Sequence, residues 1–187
     1  PSGDAFNSIS LNPKTGAPLN PMINAGAIAT ASLVSGATPE AQWERIQTSM
    51  SAFVGRDLSL DEDVYRSESD TGFRNRAIAW MLKNFGIIDG EPMALLENYF
   101  RQFALLVDCR DLAFMAATLA NGGASARLSY MQADAPGAPL QLLSPEAAYI
   151  TLEMLRQTPR PDTGGPARPT VAWKTGTSWG FRDAWTA

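Results

Sequence analysis

Apolar residues recur every three or four positions over most of the first two-thirds of the chain, which is the period of an amphipathic α-helix. Proline, glycine, serine and aspartate stand where these periodic stretches begin and end, as they do at helix termini. The small residues that follow Asn24 also predict a helix that another backbone segment can approach closely. The pattern predicts helices that begin at Asn24, Pro39, Arg74, Pro92 and just after Asp108.

The last third of the chain has a different pattern. Alanine, proline and glycine replace the periodic apolar residues over 124–143, which predicts a connector or an irregular loop. Ser144-Pro145-Glu146 then predicts one more helix. Thr170 to Lys174 and Trp179 to Trp185 are typical of two strands of an antiparallel hairpin. We therefore expect a helix-rich α+β fold with a short C-terminal hairpin.

Composition narrows the classes of function. The 187 residues have a formal net charge of −4 and no run of lysine or arginine that could follow a phosphate backbone, so nucleic acid is not expected as a partner. The apolar stretches are too short or too interrupted to span a bilayer. The chain starts without methionine and without a basic-then-apolar leader, and we interpret it as a mature form or a fragment.

Histidine is absent from the sequence. This absence excludes Ser-His-Asp and Cys-His triads and histidine-ligated metal sites, so a catalytic base would have to be lysine, tyrosine or a carboxylate. The one cysteine, Cys109, lies between Asp108 and Asp111, whose negative charges disfavour a thiolate. We expect Cys109 to have a buried structural role, and we predict neither a metal site nor a cofactor.

Lys174-Thr175-Gly176-Thr177 carries the clearest chemical signal of the chain. Enzymes with a Ser-x-x-Lys nucleophile place such a Lys-Ser/Thr-Gly run on a strand beside the active site. There Lys174 would supply a fixed cation, and the backbone N–H of Thr177 could donate to an oxyanion. The alternative is an ordinary edge strand next to a turn. No serine stands three residues before any of the three lysines, so the sequence contains the strand but lacks the nucleophile.

Two resemblances extend this interpretation. The run from Val171 to Trp185, together with Leu143-Ser144-Pro145-Glu146 and Arg160-Pro161-Asp162, resembles the transpeptidase domain of bifunctional penicillin-binding proteins over about residues 142–187. This resemblance implies a segment of an enzyme that crosslinks peptidoglycan and that penicillins acylate.

Earlier motifs resemble the serine-dependent glutaminases over residues 1–123, in the order that this family has them. They are residues 1–9, residues 20–28, Ser67-Glu68 with Arg74-Asn75, and residues 109–123. Both families are similar in architecture to the serine β-lactamases. The resemblances therefore imply one incomplete, truncated β-lactamase-like or penicillin-binding-protein-like domain, made of a glutaminase-like segment over 1–123 and a penicillin-binding-protein-like segment over 124–187.

The glutaminase resemblance also implies site residues. It makes Asn24, Glu68, Asn75 and Tyr99 ligands of glutamine, with Glu68 available to the α-ammonium group and the asparagines to amide and carboxylate groups. Tyr99 would also be catalytic, as a proton donor or relay if a neighbouring cation lowers its pKa, alongside Lys174 and Thr177.

Each of these four binding residues has a structural alternative. Asn24 could cap the helix that begins at Ala25, and Asn75 could be solvated beside two arginines. Glu68 could pair with Arg66 or Arg74 at the surface. Tyr99 could be a core aromatic, since it lies in an apolar helical stretch.

The implied function is hydrolysis of L-glutamine to L-glutamate and ammonia through a serine acyl-enzyme, impaired here because Ser-x-x-Lys is absent. Two alternatives stay open. One is a penicillin-binding transpeptidase fragment that recognises D-alanyl peptides or β-lactams, and the other is a non-catalytic chimeric scaffold joined near Gly123. A small molecule is the expected partner, and a homo-oligomer is left open. Resemblance to glutaminases implies a cytoplasmic location, whereas the transpeptidase alternative implies a periplasmic one.

Overall fold

The computed structural model describes residues 8–125, 138–157 and 172, together with the backbone of residues 175–177 and 184–186. The chain forms two compact units. Unit 1 comprises Pro1–Gln47 and Ser59–Leu106, and unit 2 comprises Thr48–Leu58 and Val107–Ala187. The elements of the described residues are α1 (Asn24–Ala31), α2 (Pro39–Val54), α3 (Glu62–Thr71), α4 (Phe73–Asn84), α5 (Pro92–Phe103), α6 (Cys109–Ala120), α7 (Pro145–Arg156), β1 (Thr175–Thr177) and β2 (Ala184–Thr186).

The helices begin and end where the sequence signals predict. α2 begins at Pro39 and is followed by Gly55, whose φ of 72° is the left-handed conformation that glycine adopts easily. α5 begins at Pro92, and the side chain of Asp108 accepts hydrogen bonds from two backbone N–H groups at the start of α6. The predicted helices are thus confirmed to within one or two residues.

Helix α3 was not predicted, and its burial explains why. It has no buried residue, so its sequence shows no apolar period. The helix is instead started by Asp61, whose side chain accepts hydrogen bonds from the N–H groups of Asp63 and Val64, and it continues with two acidic residues in its first turn. These polar start signals were the only sequence evidence for the element that carries Glu68.

The core of unit 1 forms where α1, α4 and α5 pack together. Its largest fully buried side chains include Ile28, Ile78, Leu82 and Phe100, and burying each such side chain stabilises the fold by roughly 1.5–3 kcal/mol. A Cβ at Gly26 of α1 would stand 2.2 Å from a backbone carbonyl oxygen of the preceding segment. The prediction of close backbone approach at α1 is therefore confirmed.

Within unit 2, α6 packs against α7, and backbone hydrogen bonds join the two ends of the predicted connector. The N–H of Ser125 donates to the carbonyl oxygen of Leu140 at 2.8 Å, and the N–H of Leu142 donates to that of Gly123 at 2.9 Å. These bonds make an antiparallel bridge at the base of the segment. Residues 126–137, the middle of the predicted connector, lie outside the described residues.

Strands β1 and β2 pair antiparallel, with Gly176 opposite Trp185. The sequence placed strands at Thr170 to Lys174 and Trp179 to Trp185. Of these positions the structure describes residue 172, which is in neither strand, and residues 184–185, which lie in β2, while the others lie outside the described residues. Residues 178–183, which would form the turn of the hairpin, lie outside the described residues, so the hairpin itself stays a prediction. Over the part of the chain that the structure describes, no helix is long and apolar enough to cross a membrane.

Candidate site in unit 1

The four predicted binding residues come from four helices of unit 1. Asn24 lies on α1, Glu68 on α3, Asn75 on α4 and Tyr99 on α5. These helices pack against one another, α4 and α5 most extensively. The fold therefore brings Asn24 and Asn75 into direct contact, 51 positions apart in the sequence, and places Glu68 near enough to Tyr99 for its charge to raise the pKa of the tyrosine.

Asn24 and Asn75 form the first pair. The Nδ2 of Asn24 donates a hydrogen bond of 2.8 Å to the Oδ1 of Asn75, and both side chains are half-buried. The residue at the N-cap of α1 is Ile23, which makes no side-chain cap. The alternative in which Asn24 caps the helix is therefore wrong. The bond fixes the two amides, with the Asn24 oxygen left to accept and the Asn75 Nδ2 left to donate.

Glu68 is half-buried on α3, and burial raises the pKa of its carboxyl group. Arg66, one of its predicted surface partners, instead approaches Asp63, with 3.9 Å between Nη1 and Oδ1. A carboxylate that burial destabilises gains most from a cation that enters the same environment. Glu68 is thus suited to an ammonium group on a ligand.

Tyr99 is 2% exposed and packs edge-to-face against Phe103, with 4.8 Å between the ring centres. The prediction of a core aromatic is confirmed. Its hydroxyl, however, has no hydrogen-bond partner among the described residues, which is unusual for a buried polar group. The core position therefore leaves one polar atom of Tyr99 without a partner among the described residues.

The protonation state of Tyr99 departs from the sequence expectation. Burial raises its pKa, and the nearby negative charge of Glu68 raises it further. The expectation was a cation that lowers the pKa, but the charge that the described residues bring to Tyr99 is a carboxylate. The hydroxyl consequently keeps its proton at neutral pH and is a hydrogen-bond donor rather than a base.

The other predicted residues lie in unit 2. Lys174 lies outside the described residues, and Thr177 ends β1, where only the backbone is described. Their placement beside the four residues of unit 1 stays a prediction.

Cys109 was predicted to be buried, and this prediction is wrong because the thiol is exposed. It is the first residue of α6, whereas Asp111 turns inward and is the buried residue of that turn.

Sequence reasoning missed Arg76 on α4. Its Nη2 donates a hydrogen bond of 2.5 Å to the carbonyl oxygen of Ser69 on α3. Its guanidinium also lies 5.7 Å from the ring centre of Phe73 and 5.8 Å from that of Phe100. Arg76 directly follows the Arg74-Asn75 motif, but the pattern gave no sign that this arginine would turn inward.

Comparisons with known proteins match this chain to glutaminases. The family model described as Glutaminase matches residues 1–134. Glutaminase 2 of Bradyrhizobium diazoefficiens is 43% identical over 165 residues, which are 88% of this chain and 25% of that relative. The similarity therefore continues past Gly123, where the sequence interpretation placed a join.

Solved structures agree with this result. A Bacillus glutaminase crystallised in 4.3 M NaCl superposes with a TM-score of 0.72 at 33% identity, covering 83% of this chain and 50% of that one. A probable glutaminase from Bacillus subtilis, complexed with 6-diazo-5-oxo-L-norleucine, superposes with a TM-score of 0.65 at 28% identity, covering 81% of this chain and 46% of that one. These glutaminase structures have a β-lactamase-like fold, so that part of the fold prediction is confirmed.

None of the matches named here is to a penicillin-binding protein, so the transpeptidase resemblance of residues 142–187 and the chimera remain predictions. The chain spans about a quarter of the Bradyrhizobium relative and about half of each of the two Bacillus structures named above. Because the family model matches more than half of its residues, and the matches cover most of its length, the chain belongs to the glutaminase family.

Proposed function

We propose that this chain serves hydrolysis of L-glutamine to L-glutamate and ammonia, and that unit 1 supplies the recognition of glutamine. The observation that carries the proposal is the buried Tyr99 hydroxyl, which has no partner among the described residues and lies in the field of the Glu68 carboxylate. Two neighbouring polar groups without a hydrogen-bond partner among the described residues indicate a place for a polar ligand.

The chemistry of free glutamine fits these groups. Glu68 would pair with the α-ammonium group, and this pairing would offset the cost of its burial. The bonded Asn24 and Asn75 amides would accept from and donate to the polar ends of the substrate. Tyr99 would donate its proton to a carbonyl or carboxylate oxygen. Family membership supports glutamine over other small amino acids of similar polarity.

The proposed reaction is attack by a serine on the side-chain amide carbon, which releases ammonia, followed by attack of water on the acyl-enzyme to release glutamate. Lys174 and the Thr177 N–H would stabilise developing negative charge, and Tyr99 would donate rather than accept a proton. The 187 residues contain no Ser-x-x-Lys. We therefore expect them to bind glutamine and to turn it over slowly.

Isothermal titration calorimetry with L-glutamine tests this proposal. The wild-type chain should bind, and Glu68→Gln should bind at least about tenfold more weakly, because a hydrogen bond to a charged group contributes about 1.5–3 kcal/mol. Glu62→Gln is the matched control, since it makes the same change on the same helix at an exposed position. Absence of wild-type binding, or equal affinities of wild type and Glu68→Gln, would refute the proposal.

The remaining alternatives give different results in the same preparation. A transpeptidase fragment would form a fluorescent-penicillin adduct that survives denaturation. A non-catalytic scaffold would unfold cooperatively while showing neither the adduct nor ammonia release from glutamine above the level of Glu68→Gln.

A further inference from the structure

The two helices that carry Glu68 and Asn75 are joined by a single residue. Gly72 is at once the C-cap of α3 and the N-cap of α4, and it makes no side-chain cap. A Cβ at this position would stand 2.4 Å from the Cζ of Phe100 and 2.8 Å from the carbonyl oxygen of Glu68. The turn is therefore packed tightly against α5, and the two predicted substrate ligands lie four residues before it and three residues after it.

Arg76 bridges this turn from the side of α4. Its Nη2 reaches back 2.5 Å to the carbonyl oxygen of Ser69, the residue next to Glu68. The plane of its guanidinium lies near the rings of Phe73 and Phe100, so the same side chain contacts α3, α4 and α5. The planar guanidinium of an arginine can donate to a carbonyl oxygen and stack on aromatic rings at the same time. The ammonium group of a lysine can donate to the carbonyl oxygen but has no planar surface to stack.

We propose that Arg76 is a positioning residue, which holds the last turn of α3 against the first turn of α4 so that Glu68 and Asn75 address the same ligand. This inference rests on the proposed function, because it assigns to Arg76 the alignment of that ligand site. Arg76 acts through the Ser69 carbonyl and does not touch the ligand. Displacements of about 1 Å in such supporting contacts are enough to weaken recognition strongly.

A ligand pair isolates the effect on the ammonium subsite. Calorimetry compares L-glutamine with glutaramate, the same molecule without its α-amino group, for wild type, Arg76→Met and Arg76→Lys. Arg76→Met should weaken glutamine binding about tenfold and leave glutaramate binding within about twofold, while Arg76→Lys should fall between wild type and Arg76→Met. In a Glu68→Gln background, Arg76→Met should add less than about a twofold loss.

Arg66→Met is the matched control, since Arg66 is an exposed arginine on α3 whose ion pair with Asp63 is long. It should change neither affinity. The inference is overturned if Arg76→Met leaves glutamine affinity unchanged, if both ligands lose equally, or if the loss persists in the Glu68→Gln background. Should Arg76→Met fail to fold by circular dichroism, Arg76→Lys carries the same comparison, with a loss of at least about threefold for glutamine alone expected.

A ligand-free measurement separates this inference from the proposed function. The pKa of Glu68 is followed by NMR titration of its carboxyl carbon in wild type and Arg76→Met. Loosening of the turn should admit water and move the Glu68 pKa toward its ordinary value. If the wild-type chain binds no glutamine, the proposed function fails. The positional role of Arg76 then stands if the Glu68 pKa responds to the substitution and is overturned if it does not.

Discussion

Two acidic residues, Glu68 in unit 1 and Asp111 in unit 2, are withdrawn from solvent to different degrees, and their pKa values are shifted in opposite directions. Asp111 is 3% exposed and accepts hydrogen bonds from the Nε and Nη2 of Arg56 and from the backbone N–H of Asp108, the last at 2.9 Å. The hydrogen bond from Arg56 is the main cause that lowers its pKa. The Glu68 carboxyl has no such partner among the residues that the structure describes, and burial raises its pKa.

The difference separates a structural acid from a candidate binding acid. Asp111 receives its hydrogen bonds from groups of the fold itself. It also completes the capping box at the start of α6. Glu68 is half-buried and has no such partners among the described residues, and it lies near Tyr99, whose hydroxyl is unpartnered among them as well. Uncompensated ionisable groups of this kind are the ones most often found at functional sites.

The largest effect that tests this comparison is the loss of Asp111. Asp111→Ala should lower the free energy of unfolding by about 2 kcal/mol, because it removes a partner of the α6 capping box and the acceptor of the Arg56 hydrogen bonds. Urea unfolding at pH 7 measures this. Asp63→Ala, at an aspartate whose side chain is 95% exposed, should cost less than about 0.5 kcal/mol. A loss for Asp111→Ala no larger than that of the control would show that Asp111 is not structural.

The sequence predicted those parts of the fold whose signals are local. Pro92 and Asp108 mark helix starts whatever lies around them, so α5 and α6 were found. By contrast, α3 was missed, because sequence periodicity reports burial and no residue of this helix is fully buried. The capping residue Asp61 was therefore better sequence evidence for α3 than the spacing of apolar residues.

The candidate site was predictable in its residue types but not in its pairings. The local pattern at Asn24 is compatible with a cap, and only the fold shows its amide bonded to Asn75, 51 positions away. Cys109 and Asp111 lie two positions apart on α6, and only the fold shows that Cys109 is exposed while Asp111 is bonded to Arg56, 55 positions earlier. The inward position of Arg76 likewise involves an aromatic ring of another helix, Phe100 of α5.

The change in the free energy of unfolding expected for Glu68→Gln is smaller than that for Asp111→Ala and of opposite sign. Glu68→Gln should raise the free energy of unfolding at pH 7, because the folded state then no longer contains this half-buried charge. Since the folded pKa of Glu68 is raised, ionisation costs stability as the pH rises through that value. The gain should therefore vanish below about pH 4, near the ordinary pKa of glutamate, and grow toward neutral pH.

The contribution of Asp111 to the free energy of unfolding should depend on pH in the opposite direction to that of Glu68. Its folded pKa is lowered, so its stabilising contribution is present above the ordinary pKa of aspartate, about 3.9, and is lost as the pH falls through the folded value. Urea unfolding of both variants from pH 3 to pH 7 makes the comparison. Profiles of the same sign for Glu68→Gln and Asp111→Ala would remove the distinction between the two acids.

The smallest effect concerns the two tyrosines of unit 1. The hydroxyl of Tyr65 donates a hydrogen bond to the Glu97 carboxylate, whereas that of Tyr99 has no partner among the described residues. Tyr65→Phe should therefore lower the free energy of unfolding by about 1 kcal/mol, and Tyr99→Phe should leave it unchanged or raise it by up to about 1 kcal/mol, since it removes an unsatisfied buried group. Thermal unfolding of both variants measures the difference, and calorimetry should show weaker glutamine binding for Tyr99→Phe alone. If Tyr99→Phe destabilises as much as Tyr65→Phe, the Tyr99 hydroxyl contributes to the fold in the way that Asp111 does, and it is not reserved for a ligand.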